Sequence, residues 1–261
     1  MNLADITPLI LAYNEESNLR RCLEKLGWAG RVVLLDSGST DDTAAIAAEF
    51  ANVTFVSRPF DDHTTQWNFG VDQVPTKWVL ALDADYALCS DFVKELEALP
   101  ADPASDAFSA SFRYLVFGKP LRACLYPPRA VLFRKDRCRY RKDGHTQLLH
   151  IPGAVGNLNS QINHDDRKSL TRWFSSQDKY AALEAEKLLS MPLNELSLQD
   201  RIRRTMILGP FLVFFYTLIM RGTIFDGWHG WFYSLQRMVA EIMLSLRLLE
   251  RRMNISDHQS S

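Results

Sequence analysis

The sequence predicts an α/β fold built on a mostly parallel sheet with helices on both faces. Two observations carry this: the first hundred residues alternate short apolar runs with stretches of helical period, and three of those runs end in polar clusters. The composition agrees. With 47% hydrophobic and 23% charged residues in 261, the chain has apolar material for a sizeable core, which excludes a disordered or collagen-like chain and a fully polytopic membrane protein.

Taken in order, Ile6 to Ala12 reads as a short buried strand. Ser17 is placed to cap a helix in which Leu19, Cys22, Leu23 and Leu26 recur at helical spacing, with Gly27 as its stop. Arg31 to Asp36 is a second strand, followed by the loop SGST and a helix over Asp41 to Ala51. Val53 to Val56 forms a third strand, His63 to Val74 a helix, and Trp78 to Leu82 a fourth strand running into Asp83-Ala84-Asp85. This alternation implies right-handed βαβ units. Residues 107 to 150 read as β segments with interleaved basic side chains, an antiparallel extension. Helix returns from Leu170 to Leu189 and again beyond Leu198.

The formal net charge of -1 is a cancellation. Residues 1 to 100 hold 7 basic and 16 acidic side chains, and the remainder holds 23 basic and 15 acidic, so the two parts are suited to different partners. Cys22, Cys89, Cys124 and Cys138 lack CxxC spacing and read as reduced thiols. The start MNLADITPLILAYNEESN has no basic n-region and meets Glu15 and Glu16 at once, so no secretory signal peptide is expected.

In open α/β sheets ligands bind at the carboxyl ends of the strands. Strand one delivers Tyr13, Asn14 and Glu15 there, strand two Asp36, Ser37 and Ser39, and strand four Asp83 and Asp85. Two carboxylates separated by one residue can hold a hard divalent cation, Mg²⁺ or Mn²⁺, that leaves positions open for phosphate oxygens. Alone, such a pair reads as a surface turn; the apolar strand WVLAL before it and the clusters after strands one and two favour the cation site instead.

Four stretches, LAYNEESNL, VVLLDSGSTDDT, QWNFGVD and WVLALDADY, resemble in order and spacing the nucleotide-sugar half of the family 2 inverting glycosyltransferases of the GT-A fold, over residues 5 to 95. The later stretches FGKPLRACLYPPRAVLFRKD, DGHTQ, HDDRKSLTRW and GTIFDGWHGWFYSLQR are similar to a bacterial branch that builds lipopolysaccharide core and other cell-surface glycans. The resemblance implies a GT-A catalytic domain over 1–165, divided into a nucleotide-sugar half (1–100) and an acceptor half (101–165), with a helical region over 166–261. It also implies metal-dependent transfer from a nucleotide-diphosphate sugar, a UDP-sugar in first place, to a lipid-linked or cell-envelope glycan acceptor. Tyr13, Asn14 and Glu15 would line the nucleotide site, Asp36 would contact base or ribose, and Ser39 and Asp41 would shape the second loop. Asp83 would lie near ribose and donor sugar, and Asp85 would bind the metal. Gln66 and Asn68 would lie over the donor, with Trp67 where many relatives carry Arg.

An inverting transfer needs a base for the acceptor hydroxyl and neutralisation of the leaving diphosphate. Relatives often show His-Glu where this chain has His145-Thr146, so the carboxylate that best replaces Glu is Asp143, two residues earlier. Asp143 is favoured as base, with His145 orienting it, binding phosphate or itself serving as the base. The basic run that includes Arg129 and Arg134 is suited to a pyrophosphate or an anionic acceptor, or forms a solvated strand face. His164 would bind metal or diphosphate, unless Asp165 and Asp166 merely cap a surface helix. Competing functions are a polyprenyl-phosphate glycosyltransferase and a non-catalytic nucleotide-binding membrane adaptor; no nucleic-acid motif is present.

Met206 to Met220 carries no charge, with Arg201, Arg203 and Arg204 before it and Arg221 after it. It is shorter than the roughly 20 residues of a spanning helix, and Pro210 is expected to kink it. It reads either as core or, with Phe225, Trp228, Trp231, Phe232 and Tyr233, as an element at a membrane interface. The second reading places the protein at the cytoplasmic face of the inner membrane, by peripheral or re-entrant attachment. A final amphipathic helix is expected over Trp231 to Arg252.

Overall fold

A computed structural model describes the backbone of residues 1–143 and 146–259, and the side chains of 1–142 and 147–253. In chain order the first elements are β1 (Ile6–Ala12), α1 (Leu19–Leu23), β2 (Val32–Asp36), α2 (Thr43–Ala48), β3 (Val53–Ser57), α3 (His63–Gln73), β4 (Trp78–Asp83), β5 (Tyr86–Ala87) and α4 (Ser90–Ala98). Then come β6 (Ala107–Ala110), β7 (Phe112–Val116), β8 (Lys119–Pro120), β9 (Arg129–Arg134), β10 (Arg139–Asp143), β11 (Thr146–His150), β12 (Val155–Asn157) and β13 (Ile162–His164). The helices α5 (Leu170–Ser190), α6 (Leu198–Arg204), α7 (Leu208–Phe215) and α8 (Trp228–Gln259) follow, with a π-helical turn (Tyr216–Met220) and a 3-10 turn (Thr223–Asp226) between the last two.

Seven strands form one mixed sheet in the order β12-β6-β9-β4-β1-β2-β3. The four strands β4, β1, β2 and β3 run parallel, as the apolar runs imply, and β9 joins antiparallel to both β4 and β6. Successive side chains of a strand point to opposite faces. Accordingly Ile10, Leu34, Leu80 and Leu82 enter one core, while Leu9, Val33, Val79 and Ala81 enter a second with Trp67 and Val71 of α3. Burial on both faces explains why these strands read as continuous apolar runs. Gly70 lets α3 approach β1: a Cβ there would sit 2.8 Å from Leu9 Cδ1.

Two sequence expectations fail locally. Ser17 does not cap α1; Asn18 holds the N-cap position, and its side chain is spent on Glu15, Asp166 and Arg167. Pro210 does not kink a helix. The chain breaks before it, at Met206 with φ 68°, and Pro210 falls in the first turn of α7, where a missing N–H costs no helical bond.

By contacts the chain forms two compact units: Met1–Pro120 with Tyr126–Arg167, and Leu121–Leu125 with Lys168–Ser261. In the second, Ala181, Ala185 and Leu188 of α5 pack on Leu244 and Leu248 of α8. The Arg203 guanidinium reaches Glu241 at 2.7 Å, joining α6 to α8. Among the described residues no helix is long and apolar enough to cross a membrane.

Candidate active site

Strand register builds the site. Leu11 pairs with Asp83 and Ala12 with Asp36, so the loops after β1, β2 and β4 leave the sheet side by side at its carboxyl edge. The first two loops are tied together by their polar residues. Asn14, at φ 53° in the left-handed region where Asn is tolerated, donates its N–H to Ser39 Oγ (2.7 Å) and accepts the Thr40 N–H on Oδ1 (2.7 Å). The Glu15 N–H donates to Thr43 Oγ1 (2.7 Å), and Asp41 accepts from the N–H groups of Glu16 and Thr43.

Asp36, only 3% exposed, accepts the N–H groups of Gly38 and Ser39 at 2.9 Å each, and its other oxygen accepts the Ser39 hydroxyl. Both oxygens are therefore engaged in shaping the loop, a role the sequence assigned to Ser39 and Asp41 rather than to Asp36. Tyr13 is 54% exposed beside these loops.

Asp83 and Asp85 stand at the end of β4. Burial, then the charge of Asp85, holds the Asp83 carboxyl above the ordinary carboxylate range, against a Tyr86 hydrogen bond and the charges of His164 and Arg129. His164 Nε2 lies 3.0 Å from Asp85 Oδ2. Burial by itself would lower the imidazole pKa, but the Asp85 charge and hydrogen bond outweigh it, so the net shift is upward. The imidazole is ringed edge-on by Tyr114 (4.8 Å), Tyr126 (5.0 Å) and Tyr86 (5.3 Å). The Tyr86 and Tyr126 hydroxyls are 2.9 Å apart, and the Arg129 guanidinium lies 4.6 Å from the Tyr126 ring centre. Arg129 thus lies beside the Asp83–His164 cluster. The three tyrosines were missed; Tyr126, in the segment LYPPR before β9, sat inside a stretch already singled out.

The segment after β13 is not a helix cap. Asp165 is buried between Arg167 (2.7 Å) and Arg21 (3.7 Å), and Asn18 Nδ2 donates to both Glu15 Oε2 and Asp166 Oδ1 at 3.0 Å. Asn18 and Arg21 therefore fasten this segment to the loop after β1.

Gln66, Asn68 and Arg134 are engaged in contacts within the protein. The fully buried Gln66 donates to Ser37 Oγ (3.1 Å) and to the Arg58 carbonyl (3.2 Å), while its own oxygen accepts from the Arg58 guanidinium. Asn68 exchanges two hydrogen bonds with the Tyr140 main chain (2.9 and 3.0 Å), and Trp67 stacks on the Tyr140 ring at 5.2 Å. This part of α3 consequently clamps the β10–β11 hairpin. Arg134 pairs in register with Trp78, about 16 Å along β4 from Asp83 at 3.3 Å per residue. It is 7% exposed, donates to Asp102 (2.7 Å) and to the Pro103 carbonyl (2.9 Å), and lies over the Trp78 ring. It is a core cation, set apart from the Asp83–Asp85 edge. Replacing Arg134 with Leu is expected to cost about 2–4 kcal/mol, because it leaves a buried carbonyl and part of the charge of Asp106 uncompensated. Urea unfolding measures this, and kcat/KM per folded molecule stays at the wild-type value. His145 and the side chain of Asp143 lie outside the described residues.

Burial governs the thiols too. The Cys22 thiol, buried behind Asp83 and Asp85, is pushed well above the ordinary thiol range, and Cys138 is pushed up to about 11. Alkylation at pH 8 is expected to label Cys89 and Cys124 in the native protein and all four cysteines only after unfolding, as counted by mass spectrometry.

The donor types available for a cation are the Asp85 carboxylate and the His164 imidazole. Among the described residues no group of three or more His, Cys, Asp or Glu side chains is disposed to hold a metal. His164 Nδ1 is buried without a hydrogen-bond partner, and the raised Asp83 carboxyl marks a spot short of positive charge. One carboxylate and one imidazole would fit a Mn²⁺ or Mg²⁺ that leaves its other positions to oxygen ligands.

Comparison with known proteins agrees with this geometry. The family model described as Glycosyl transferase family 2 matches residues 9–154. The chain is 26% identical over 197 residues to the lipopolysaccharide core biosynthesis glycosyltransferase LpsC of Rhizobium meliloti, covering 70% of this chain and 71% of LpsC. It is 24% identical over 204 residues to an uncharacterized glycosyltransferase of Rickettsia felis, covering 70% of each. Its fold is similar to that of S. aureus TarS residues 1–349, crystallised with UDP-GlcNAc, at TM-score 0.51 and 15% identity over 95% of this chain and 92% of that one. The fold is thus GT-A-like, and the family match spans more than half of the sequence. The chain belongs to glycosyl transferase family 2.

Proposed function

We propose that this glycosyltransferase moves a sugar, with inversion, from a UDP-sugar to a lipid-linked glycan of the cell envelope, of the lipopolysaccharide-core kind, at the cytoplasmic face of the inner membrane. The observation that carries this is the convergence of the loops after β1, β2 and β4 on one sheet edge, where Asp83, Asp85 and His164 meet. The similarity to LpsC supports the acceptor class, and the TarS fold, crystallised with UDP-GlcNAc, is compatible with the donor class.

In the proposed reaction an acceptor hydroxyl attacks the anomeric carbon from the face opposite the diphosphate. The new C–O bond forms as the bond to the diphosphate breaks, the electron pair leaves with the nucleoside diphosphate, and Asp143 takes the hydroxyl proton. Asn14 and Glu15 shape the nucleotide loop, while Asp83 faces ribose and sugar. A Mg²⁺ or Mn²⁺ held by Asp85 and His164 would supply charge neutralisation for the leaving diphosphate.

The test is a thermal-shift screen of nucleotide sugars with Mn²⁺, followed by transfer assays with any donor that binds. A ligand that binds only the native state raises the melting temperature. A UDP-sugar that stabilises the protein and is transferred to a lipid-linked core acceptor is the expected result. Binding without transfer or donor hydrolysis would favour the adaptor reading, and transfer to polyprenyl phosphate alone would replace the acceptor.

A further inference from the structure

The second unit has an apolar face that its own packing leaves uncovered. Four-residue steps bring Ile207, Phe211, Phe215 and Ile219 to one side of α7 and the π-helical turn, each more than half exposed, and the residue after each is exposed and apolar as well. Phe225 and Trp228 extend the face, Trp228 being 84% exposed. Soluble monomers rarely leave contiguous apolar patches beyond a few hundred Å², and a run of large side chains on this scale marks a docking surface.

Charge identifies what it docks to. From Thr205 to Phe225 the sequence has no Asp or Glu, and Asp226 is buried and paired with Arg122. The charges on this face are cationic: Arg221 is exposed, and the exposed Arg122 guanidinium lies 5.5 Å from the Phe225 ring centre. Two copies meeting through this face about a two-fold axis would set arginine beside arginine with no acid to answer it. A lipid surface supplies what a second copy lacks, acyl chains for the rings and anionic headgroups for the guanidinium groups.

We propose that this face, from Ile207 to Trp228, lies in the headgroup region of an anionic bilayer and holds the protein there without crossing it. The inference rests on the proposed membrane location and specifies the surface that serves it. Its test is vesicle flotation of the full chain with phosphatidylcholine vesicles and with vesicles that also contain phosphatidylglycerol. The anionic vesicles are expected to bind the protein, more weakly as salt rises, and brominated lipid is expected to quench wild-type fluorescence but not the Trp228→Phe variant to the same extent. The double substitution Phe211→Glu with Phe225→Glu is expected to lower partitioning at least about tenfold while leaving the melting temperature and the donor-induced thermal shift unchanged. The proposal fails if anionic vesicles do not bind the protein or if the double variant binds them as well as wild type. It also fails if light scattering shows a dimer that this variant dissociates, which would assign the face to a second copy. Donor binding is read separately, so failure here leaves the sugar-transfer reading standing, and the reverse holds too.

Discussion

Replacing Asp85 with Ala is expected to lower kcat/KM for sugar transfer by about 10³-fold while the protein stays folded. The carboxylate sits just past β4, partly buried, and pairs with His164 at 3.0 Å. It is the strongest influence raising the pKa of the buried imidazole and, after burial, the largest one raising Asp83. Its removal would change the charge of the whole strand edge. His164 would lose its largest pKa-raising influence, leaving burial opposed only by the charges of Asp83 and Asp166, and its titration, followed by NMR, should move to lower pH. Asp83 would lose a like charge and ionise more readily. Neither change would restore a ligand for the proposed cation. Stability should suffer little, because the hydrophobic contacts of β4 are untouched. Circular dichroism and urea unfolding separate that outcome from a folding defect, and Mn²⁺ titration of both proteins separates lost metal affinity from lost catalysis. Wild-type turnover in the Asp85→Ala variant at saturating Mn²⁺ would remove the metal mechanism.

Much of this site was legible in the sequence because strand order does most of the work. Apolar runs buried on both faces show themselves without partners, and a parallel sheet delivers the residue after each run to a common edge. Asp83, Asp85 and the YNE segment could therefore be assigned to one site before any contact was known. Side-chain partnerships were not legible, because they join distant segments. Asn18 bonds Asp166, and Arg134 bonds Asp102. The direction of β9 decides the case of Arg134. Running antiparallel to β4, it carries Arg129 toward the site and Arg134 away from it, although the two residues look alike in a basic run. Asn68 and Gln66 show another limit. A polar residue beside a ligand-binding loop can serve the loop's architecture, and only its hydrogen bonds distinguish that from ligand contact.

Exchanging Asp143 for Asn is expected to lower kcat by 10²- to 10⁴-fold, the usual worth of a general base, with donor binding unchanged. The backbone gives a physical reason to look there. β10 and β11 form a two-stranded antiparallel pair separate from the main sheet, with Asp143 paired to Thr146 at its end. A lone hairpin is marginal in water, and this one is secured from α3 by the double hydrogen bond of Asn68 to Tyr140 and by the stack of Trp67 on the same residue. Such a clamp fits a hairpin whose tip must meet the acceptor at a fixed place. Asparagine keeps the shape of aspartate but cannot take the hydroxyl proton, so the loss should fall on kcat, and the acid limb of the pH profile set by the carboxylate should disappear. His145→Ala serves as the comparison: if histidine only orients the carboxylate or touches phosphate, it costs less and the acid limb remains. A large loss in His145→Ala beside near-normal turnover in Asp143→Asn would transfer the base to the imidazole. Near-normal turnover in both would mean that the acceptor arrives already ionised, as a phosphate does, and would move the polyprenyl-phosphate reading ahead.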